Sequence, residues 1–345
     1  MRMLYVGSMS KAPDRDSSWT QAFYDLGWEV SVLSTDVALS GPMIMQRIKR
    51  RFSTGVEYRR LVHDLFRLIE SKQPQWVHFR LPVEFSRSVI ARIKSKGIVV
   101  TEYFNDDAFS SQAPLGYYCK FRRALPEYDG HFVFREHNVR TYLDAGAKFT
   151  QHCPPTYDPI IHQDSRDQGK PFLAEAAFIG HWEGDQRTLI LESLCSAGIS
   201  LVLRGGMWDS HLKGLKLEKE IPVKHAFGKE YNYIYANVMA GLCFFSKINN
   251  DTWTRRALEI VAVGGLLVCE RTDEAQTYFT DRQEAFFFSS AKELIEIVTL
   301  LKQEPALREK VRRAGYQRLM QSSHTIGDRA VQIDHFVKHK LAQGK

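Results

Sequence analysis

The segment Asn250 to Gly265 (NDTWTRRALEIVAVGG) holds the residue types in this 345-residue chain that best fit a binding chemistry. Thr254 precedes an apolar run of helical period and suits a helix N-cap. The helix behind it would offer unpaired backbone N–H groups and a positive dipole end to a phosphate. Glu259, ~1.4 turns further in, supplies a carboxylate that can accept both hydroxyls of a ribose. Gly264 and Gly265 end the helix with no side chain to obstruct an approaching ligand. The same spacing also describes an amphipathic helix with a surface carboxylate and a glycine stop, and spacing alone leaves both readings open.

Further candidates stand just after apolar runs. Arg204 follows Leu201-Val202-Leu203 and precedes Gly205-Gly206, where its planar fork could bond a phosphate. Asp106 and Asp107 follow the run that ends near Phe104. A carboxylate there could orient or deprotonate a hydroxyl, or simply cap the next helix as Asn/Asp loops do. Gly7, with Ser8, follows the first apolar run and would let phosphate come close to the backbone. Arg80 and Arg135 also fall at strand ends, as binders of an acidic ligand or as salt-bridge partners. Trp182, Trp208 and Trp253 lie near the proposed site, to stack on a base or sugar or to pack a core.

The elements that must position these residues alternate. Strands are expected at 3–7, 29–33, 76–79, 98–101 and 131–134, with helices at 17–26, 44–72, 84–95 and 136–145. After a stretch rich in Pro, Gly, Asp and Gln (154–171), read as a linker, the rhythm restarts. Strands follow at 177–180, 200–203, 241–245 and 266–269, and helices at 186–197, 254–263, 291–302, 305–321 and 327–341. Such alternation implies parallel sheets covered on both faces, and ligands in such sheets bind beyond the carboxyl ends of the strands.

Composition narrows the class. Hydrophobic residues make up 44% and charged residues 25%, which leaves material for two full cores and excludes a disordered or fibrous chain. The start of the chain lacks signal-peptide character and no apolar run reaches membrane-spanning length, so a soluble, cytoplasmic protein is expected. Five scattered cysteines without a CxxC pair, and histidines without HExxH, give neither a disulfide frame nor a metal site. The net charge of +7 lies mostly before residue 160, where 22 basic residues face 17 acidic ones. No basic stripe with interleaved aromatics appears, so nucleic acid is not expected as a partner. Residues 45–52 (Arg47, Lys49, Arg50 and Arg51 among Met45, Ile48 and Phe52) form a basic amphipathic stretch. It is either a solvated helix face or a peripheral contact with anionic lipid at the inner face of a membrane.

The segment 251–323 resembles the C-terminal module of the spore-maturation CgeB-like glycosyltransferases, relatives of glycosyltransferase group 1. Thr254, Arg256, Glu259 and Gly264 fit its pattern, as do the acidic loop Glu270 to Glu274, an aromatic strand after Glu284, and Arg312-Arg313-Ala314-Gly315 with Ser323-His324-Thr325. The resemblance implies that Glu259 contacts the ribose, and that Asp251, spaced from it like the second group 1 carboxylate, contacts the donor sugar. It also implies that the loop after Gly180 holds the diphosphate, with Arg187 in the position of a CgeB-like arginine and His181 where group 1 enzymes carry arginine. Without the resemblance, Arg187 reads equally as a solvated first-turn charge. The pair Asp106-Asp107 resembles one at the same point of CgeB-like proteins, as candidate catalytic groups.

The expectation is therefore a GT-B architecture, two Rossmann-like α/β domains facing across a cleft. The acceptor domain would span 1–158 and the donor domain 170–325, and a helix in 326–345 would cross back to the first. The function implied is metal-independent sugar transfer, retaining by analogy, from a nucleoside diphosphate sugar to a glycan, lipid-linked or small-molecule acceptor. No cofactor beyond the donor is expected. Two alternatives stay open: a sugar-nucleotide epimerase on the same fold, and a non-catalytic protein of coat or envelope assembly.

Overall fold

Strand β1 (Arg2–Gly7) is buried at every position after the first, as a central parallel strand must be when helices cover both faces. It belongs to the first of two units in the computed structural model, which describes residues 1–9, 15–36, 55–113, 116–167 and 169–343. The units are Met1–Pro154 with Ile326–Lys345, and Pro155–Thr325.

In the first unit the chain runs α1 (Arg15–Asp25), β2 (Glu29–Ser34), α2 (Val56–Lys72), β3 (Trp76–Arg80), α3 (Arg87–Lys94), β4 (Val99–Phe104), α4 (Cys119–Ala124), β5 (Gly130–Val133), α5 (Glu136–Asp144) and β6 (Thr150–His152). The six strands form one parallel sheet in the order β2-β1-β3-β4-β5-β6. Strand alternation sends Leu4, Val6, Val77, Phe79 and Val100 to one face. There they meet Leu61, Leu65, Phe66 and Ile69 of α2 and Val89, Ile90 and Ile93 of α3. The apolar spacing along α2 is that of a helix with one buried stripe, and Gln73 in the left-handed region ends it. The basic stretch 45–52 lies outside the described residues.

The second unit runs β7 (Ala176–Ile179), α6 (Arg187–Ser196), β8 (Leu201–Arg204), α7 (Gly228–Ala236), β9 (Ala240–Cys243), α8 (Arg255–Ala262), β10 (Leu267–Glu270), α9 (Asp273–Tyr278), β11 (Phe286–Phe288), α10 (Ala291–Gln303) and α11 (Pro305–Met320). Its five parallel strands lie in the order β11-β10-β9-β7-β8. The stretch read as linker is bound to this unit. Asn232 Nδ2 donates to the Ile161 carbonyl at 2.6 Å, Ser165 N–H to the Val263 carbonyl at 3.0 Å, and Asp167 N–H to Asn237 Oδ1 at 2.8 Å.

The last helix, α12 (Ile326–Gln343), is part of the first unit and shares the other sheet face with α1. Trp28 Nε1 donates to Asp334 Oδ1 at 2.7 Å, and Phe336 stacks on Phe149 with centroids 4.4 Å apart. A Cβ on Gly130 would lie 2.6 Å from the Phe336 ring, so the glycine at the start of β5 makes room for this helix.

Candidate functional site

In the second unit the chain goes from β7 outward to β8, then returns to the other side of β7 as β9, so strand order reverses between β7 and β9. Parallel sheets bind ligands beyond the strand ends at such a reversal. Helix α8 follows the loop after β9, and from its first turn the Arg256 guanidinium reaches across to β7. It lies 5.4 Å from the Phe178 ring centre, with Nη2 3.1 Å from where a Cβ on Gly180 would stand. Burial works against its charge. The surrounding Tyr235, Cys243, Tyr231 and Glu259 more than offset that, so its pKa is raised and it stays a cation. Among the described residues its side chain makes no hydrogen bond or ion pair, and its Nη groups point to where Gly180 leaves space.

The loops after β7 and β8 are joined backbone to backbone beside this arginine. Gly180 N–H donates to the Arg204 carbonyl at 2.9 Å and Trp182 N–H to the Gly206 carbonyl at 3.0 Å, while Trp208 Nε1 donates to the Gly180 carbonyl at 2.8 Å. Gly205 has φ +135°, and a Cβ there would sit 1.9 Å from the Gly180 oxygen, so only glycine permits the approach. Gly206 N–H donates to His181 Nδ1 at 3.2 Å, which leaves the ring proton on Nε2. Burial, then His225 and Arg256, lower the His181 pKa and keep the ring neutral. Arg204 donates from Nη1 to the Leu203 carbonyl at 2.9 Å, stands 3.9 Å from Glu230, and has a buried Nε without a hydrogen-bond partner.

Glu259 is buried one turn along α8. Tyr231 of α7 donates its hydroxyl to Oε2 at 2.7 Å, and Oε1 stands 3.6 Å from Arg255 Nε and 3.9 Å from His162 Nε2. Asp251 is half-buried in the turn before α8, its N–H donating to the Ser246 carbonyl at 2.9 Å.

Thr254 takes the expected N-cap position, whereas the expectations for Arg187 and Gly264 are corrected. Thr254 stands at the N-cap with extended backbone (φ −151°, ψ 153°), yet its hydroxyl makes no capping bond to the helix. Arg187 is buried with its donors spent on its own loop. Nε meets Asp185 at 2.8 and 3.0 Å, Nη2 meets Asp185 at 2.8 Å and Glu183 at 3.2 Å, and Nη1 meets the His181 carbonyl at 2.9 Å. Two carboxylates already neutralise it, so it fixes the loop rather than offering a fork to phosphate. Gly264 (φ +85°) lies at the C-terminal end of α8, the opposite end from Arg256. A Cβ there would meet Asp164 Oδ1 at 2.6 Å and Arg166 Nε at 2.9 Å, so the glycine admits the 164–166 segment, not a ligand. The tryptophans divide similarly: Trp208 and Trp253 are in the core, and Trp182 stacks on His211.

In the first unit, order reverses between β1 and β3, and that point is filled by side chains. Asp16 pairs with Arg80 at 3.0 Å, both nearly buried, and Asp16 Oδ2 is 2.3 Å from where a Cβ on Gly7 would be. Gly7 thus admits a carboxylate of its own chain, in place of the phosphate the sequence suggested. Asp107 is buried, accepts from Phe109 N–H at 2.9 Å and Asn138 Nδ2 at 3.1 Å, and has His137 Nε2 at 3.5 Å. Asp106 is half-buried and accepts from the Tyr118 hydroxyl at 3.1 Å. Arg135 is buried and donates to the Asn105 carbonyl at 3.0 Å. Sequence reasoning missed Tyr231, His162 and the neutral state of His181, because none lies in the segment that carries Glu259 and Arg256. Among the described residues no group of three or more His, Cys, Asp or Glu could hold a metal ion, and no helix is long and apolar enough to cross a membrane.

Residues 187–335 match a protein family described as glycosyl transferase-like. A search of curated proteins returned no match. Among solved structures, sucrose-phosphate synthase from Thermosynechococcus elongatus aligns over 99% of this chain and 100% of its own, at 12% identity and a TM-score of 0.70. Anabaena HepE in complex with UDP-glucose aligns over 99% and 100%, at 12% identity and 0.63. A putative UDP-N-acetylglucosamine 2-epimerase from Listeria monocytogenes aligns over 99% and 97%, at 11% identity and 0.58. At such identities the likeness is one of fold. The chain has the GT-B architecture of two Rossmann-like α/β domains, and its residues 187–335 are similar to the glycosyl transferase-like family.

Proposed function

We propose that the chain is a glycosyltransferase that moves a sugar from a nucleoside diphosphate sugar to an acceptor hydroxyl. The observation that carries this reading is Arg256, a half-buried cation with no anion bonded to it among the described residues, beside the N-terminus of α8 at the reversal between β7 and β9. In the transfer the bond from the anomeric carbon to the β-phosphate oxygen breaks, and a bond to the acceptor oxygen forms as the hydroxyl proton leaves. Negative charge then collects on the departing diphosphate. A fixed guanidinium and the uncapped N–H groups of α8 are suited to stabilise it. Glu259, held by Tyr231, is the group we assign to the ribose, and Asp251, in the turn before α8, to the sugar. We assign acceptor activation to the Asp106-Asp107 loop, where Asp106 is the less buried carboxylate.

The similarity to the glycosyl transferase-like family, the CgeB-like pattern around Arg256 and Glu259, and a HepE structure that holds UDP-glucose support a nucleotide-sugar donor. We read the reaction as metal-independent and retaining, with a glycan, lipid-linked or small-molecule acceptor. Calorimetry with UDP, GDP, TDP and CMP sugars tests the core of the proposal. Binding of at least one of the diphosphate sugars, with transfer that survives a chelator, is expected; binding of none of them would overturn it. The epimerase-like neighbour supplies a second reading. Epimerised sugar nucleotide in the absence of acceptor, followed by NMR, would favour it over transfer.

A further inference from the structure

The two faces of the first unit's sheet carry different charge. Helices α2, α3, α4 and α5 on one face hold eleven basic and five acidic residues, ten of the basic ones on α2, α3 and α4, whereas α1 and α12 on the other hold four of each. Helices α2, α3 and α4 are neighbours: Arg92 of α3 lies 3.9 Å over the Phe66 ring of α2, and Ala124 of α4 joins the core that α2 and α3 cover. Some of this charge is spent locally. Arg60 and Arg67 share Asp64 at 3.8 and 3.3 Å, Arg87 pairs with Glu127 at 2.7 Å, and Lys94 with Asp129 at 2.5 Å.

Five more cations of these helices, Arg59, Lys72, Arg92, Arg122 and Arg123, and Lys96 just after α3, are exposed and form no ion pair among the described residues. A cation in the last turn of a helix complements its dipole. That accounts for Lys72 or Arg123, but not for Arg59 in the first turn of α2, where a cation is unfavourable. The surplus across three neighbouring helices therefore has another use.

We propose that the outer face of α2, α3 and α4 docks on an anionic lipid bilayer. Charge complementarity selects the class of partner, because spread basic residues on a helical layer draw anionic headgroups without needing a pocket. Two observations favour lipid over nucleic acid. No large aromatic ring is exposed on α2, α3 or α4 to stack with a base, and Val56, at the start of α2, offers a large apolar side chain that is 70% exposed. The helices run antiparallel to the strands they connect. Lys72, Lys96 and Arg123 consequently sit near the amino ends of β3, β4 and β5, away from the loop with Asp106 and Asp107. A bilayer held there leaves that loop uncovered.

The test uses the full chain and vesicles, one set of phosphatidylglycerol and phosphatidylcholine in equal parts and one of phosphatidylcholine alone, in a sedimentation assay. Binding to the mixed vesicles only, reversed by high salt, is expected. The variant R59E/K96E/R123E removes three exposed, unpaired cations and should lower partitioning at least tenfold. The control K213E/K310E/R313E, which removes three exposed, unpaired cations of the second unit, should change it less than threefold. Both variants should melt as the parent does and bind nucleotide sugar unchanged. Equal binding to both vesicle types, or equal losses in the two variants, would overturn the proposal. So would a single-stranded RNA that displaces the protein from the vesicles at equal phosphate concentration.

Discussion

Arg187 and Arg256 carry the same charge near one loop, yet replacing each with glutamine should give opposite phenotypes. Arg256 makes no ion pair or hydrogen bond among the described residues, so Arg256→Gln removes nothing that holds the fold. It should lower nucleoside diphosphate affinity by roughly 1.5–3 kcal/mol, the worth of charge-assisted hydrogen bonds, which is about 10- to 150-fold. Binding of the nucleoside alone should stay within threefold. Arg187→Gln strands Asp185 and Glu183, whose side chains are 13% and 16% exposed, without the cation they share. Removing one member of a buried charge cluster costs about 3–5 kcal/mol. Partial exposure of both carboxylates places this case near the lower end. For a unit the size of Pro155–Thr325 that is a fall in Tm of about 6–12 °C. Calorimetric titration with UDP and uridine, beside a melting curve for each variant, separates the two roles. A normal Tm in Arg187→Gln with diphosphate affinity lost as in Arg256→Gln would refute the reasoning. Arg187 would then be a phosphate ligand after all.

Gly205→Ala should abolish nucleotide binding and lower Tm, since a Cβ 1.9 Å from the Gly180 oxygen must push the two loops apart; unchanged binding by titration would show that the loops do not form the site. Glu259→Gln should narrow the preference for UDP over 2′-deoxy-UDP to below threefold, as a neutral amide accepts ribose hydroxyls less strongly than a carboxylate. An unchanged preference in competition titrations would remove Glu259 from the ribose. His78 is buried, and burial followed by Arg80 lowers its pKa from 6.5 to about 3. Its stabilising neutral form is complete above pH 6.5 and lost as pH falls toward 3, because the unfolded chain takes up that proton first. His78→Gln should therefore flatten the stability-versus-pH slope in that window, by up to roughly 5 kcal/mol over its whole width; equal slopes in urea titrations would contradict it.

The alternation of parallel strands and covering helices was legible because buried strands read as apolar runs: Val99 to Phe104 and Ala240 to Cys243 have no exposed position. The elements left unread were those without that signal. Strand β6 (Thr150–His152) is three polar residues at the sheet edge, and α7 (Gly228–Ala236) opens on Gly228 without a side-chain cap. Strand β4 also ran further than its apolar run suggested. Glu102 lies inside it, fully buried, with His131 Nδ1 at 2.8 Å, and no local pattern reveals a carboxylate matched by a histidine 29 residues later. Arg187 differs in kind. Its partners Asp185 and Glu183 stand two and four residues before it, so the loss of its charge to them was written locally. The match to the CgeB-like arginine pointed to phosphate instead.

What distinguishes the two arginines is the placement of acids. Burial opposes a guanidinium at both positions, and the chain answers each differently. Around Arg187 it supplies a bidentate aspartate, a glutamate and a carbonyl, which converts the cation into a rivet for the Gly180 to Asp185 loop. Around Arg256 it supplies the Phe178 face and the Tyr231 and Tyr235 phenols, and commits Glu259, the buried acid of the same helix, to the Tyr231 hydroxyl. Such surroundings tolerate the charge without bonding it, so the free energy of a paired guanidinium is left for an incoming anion to supply. Riveting the loop with Arg187 also fixes Gly180, and Gly180 is where a side chain would otherwise crowd Nη2 of Arg256. The first arginine therefore acts on a ligand only through the shape it imposes on the loop, and the second acts through its charge.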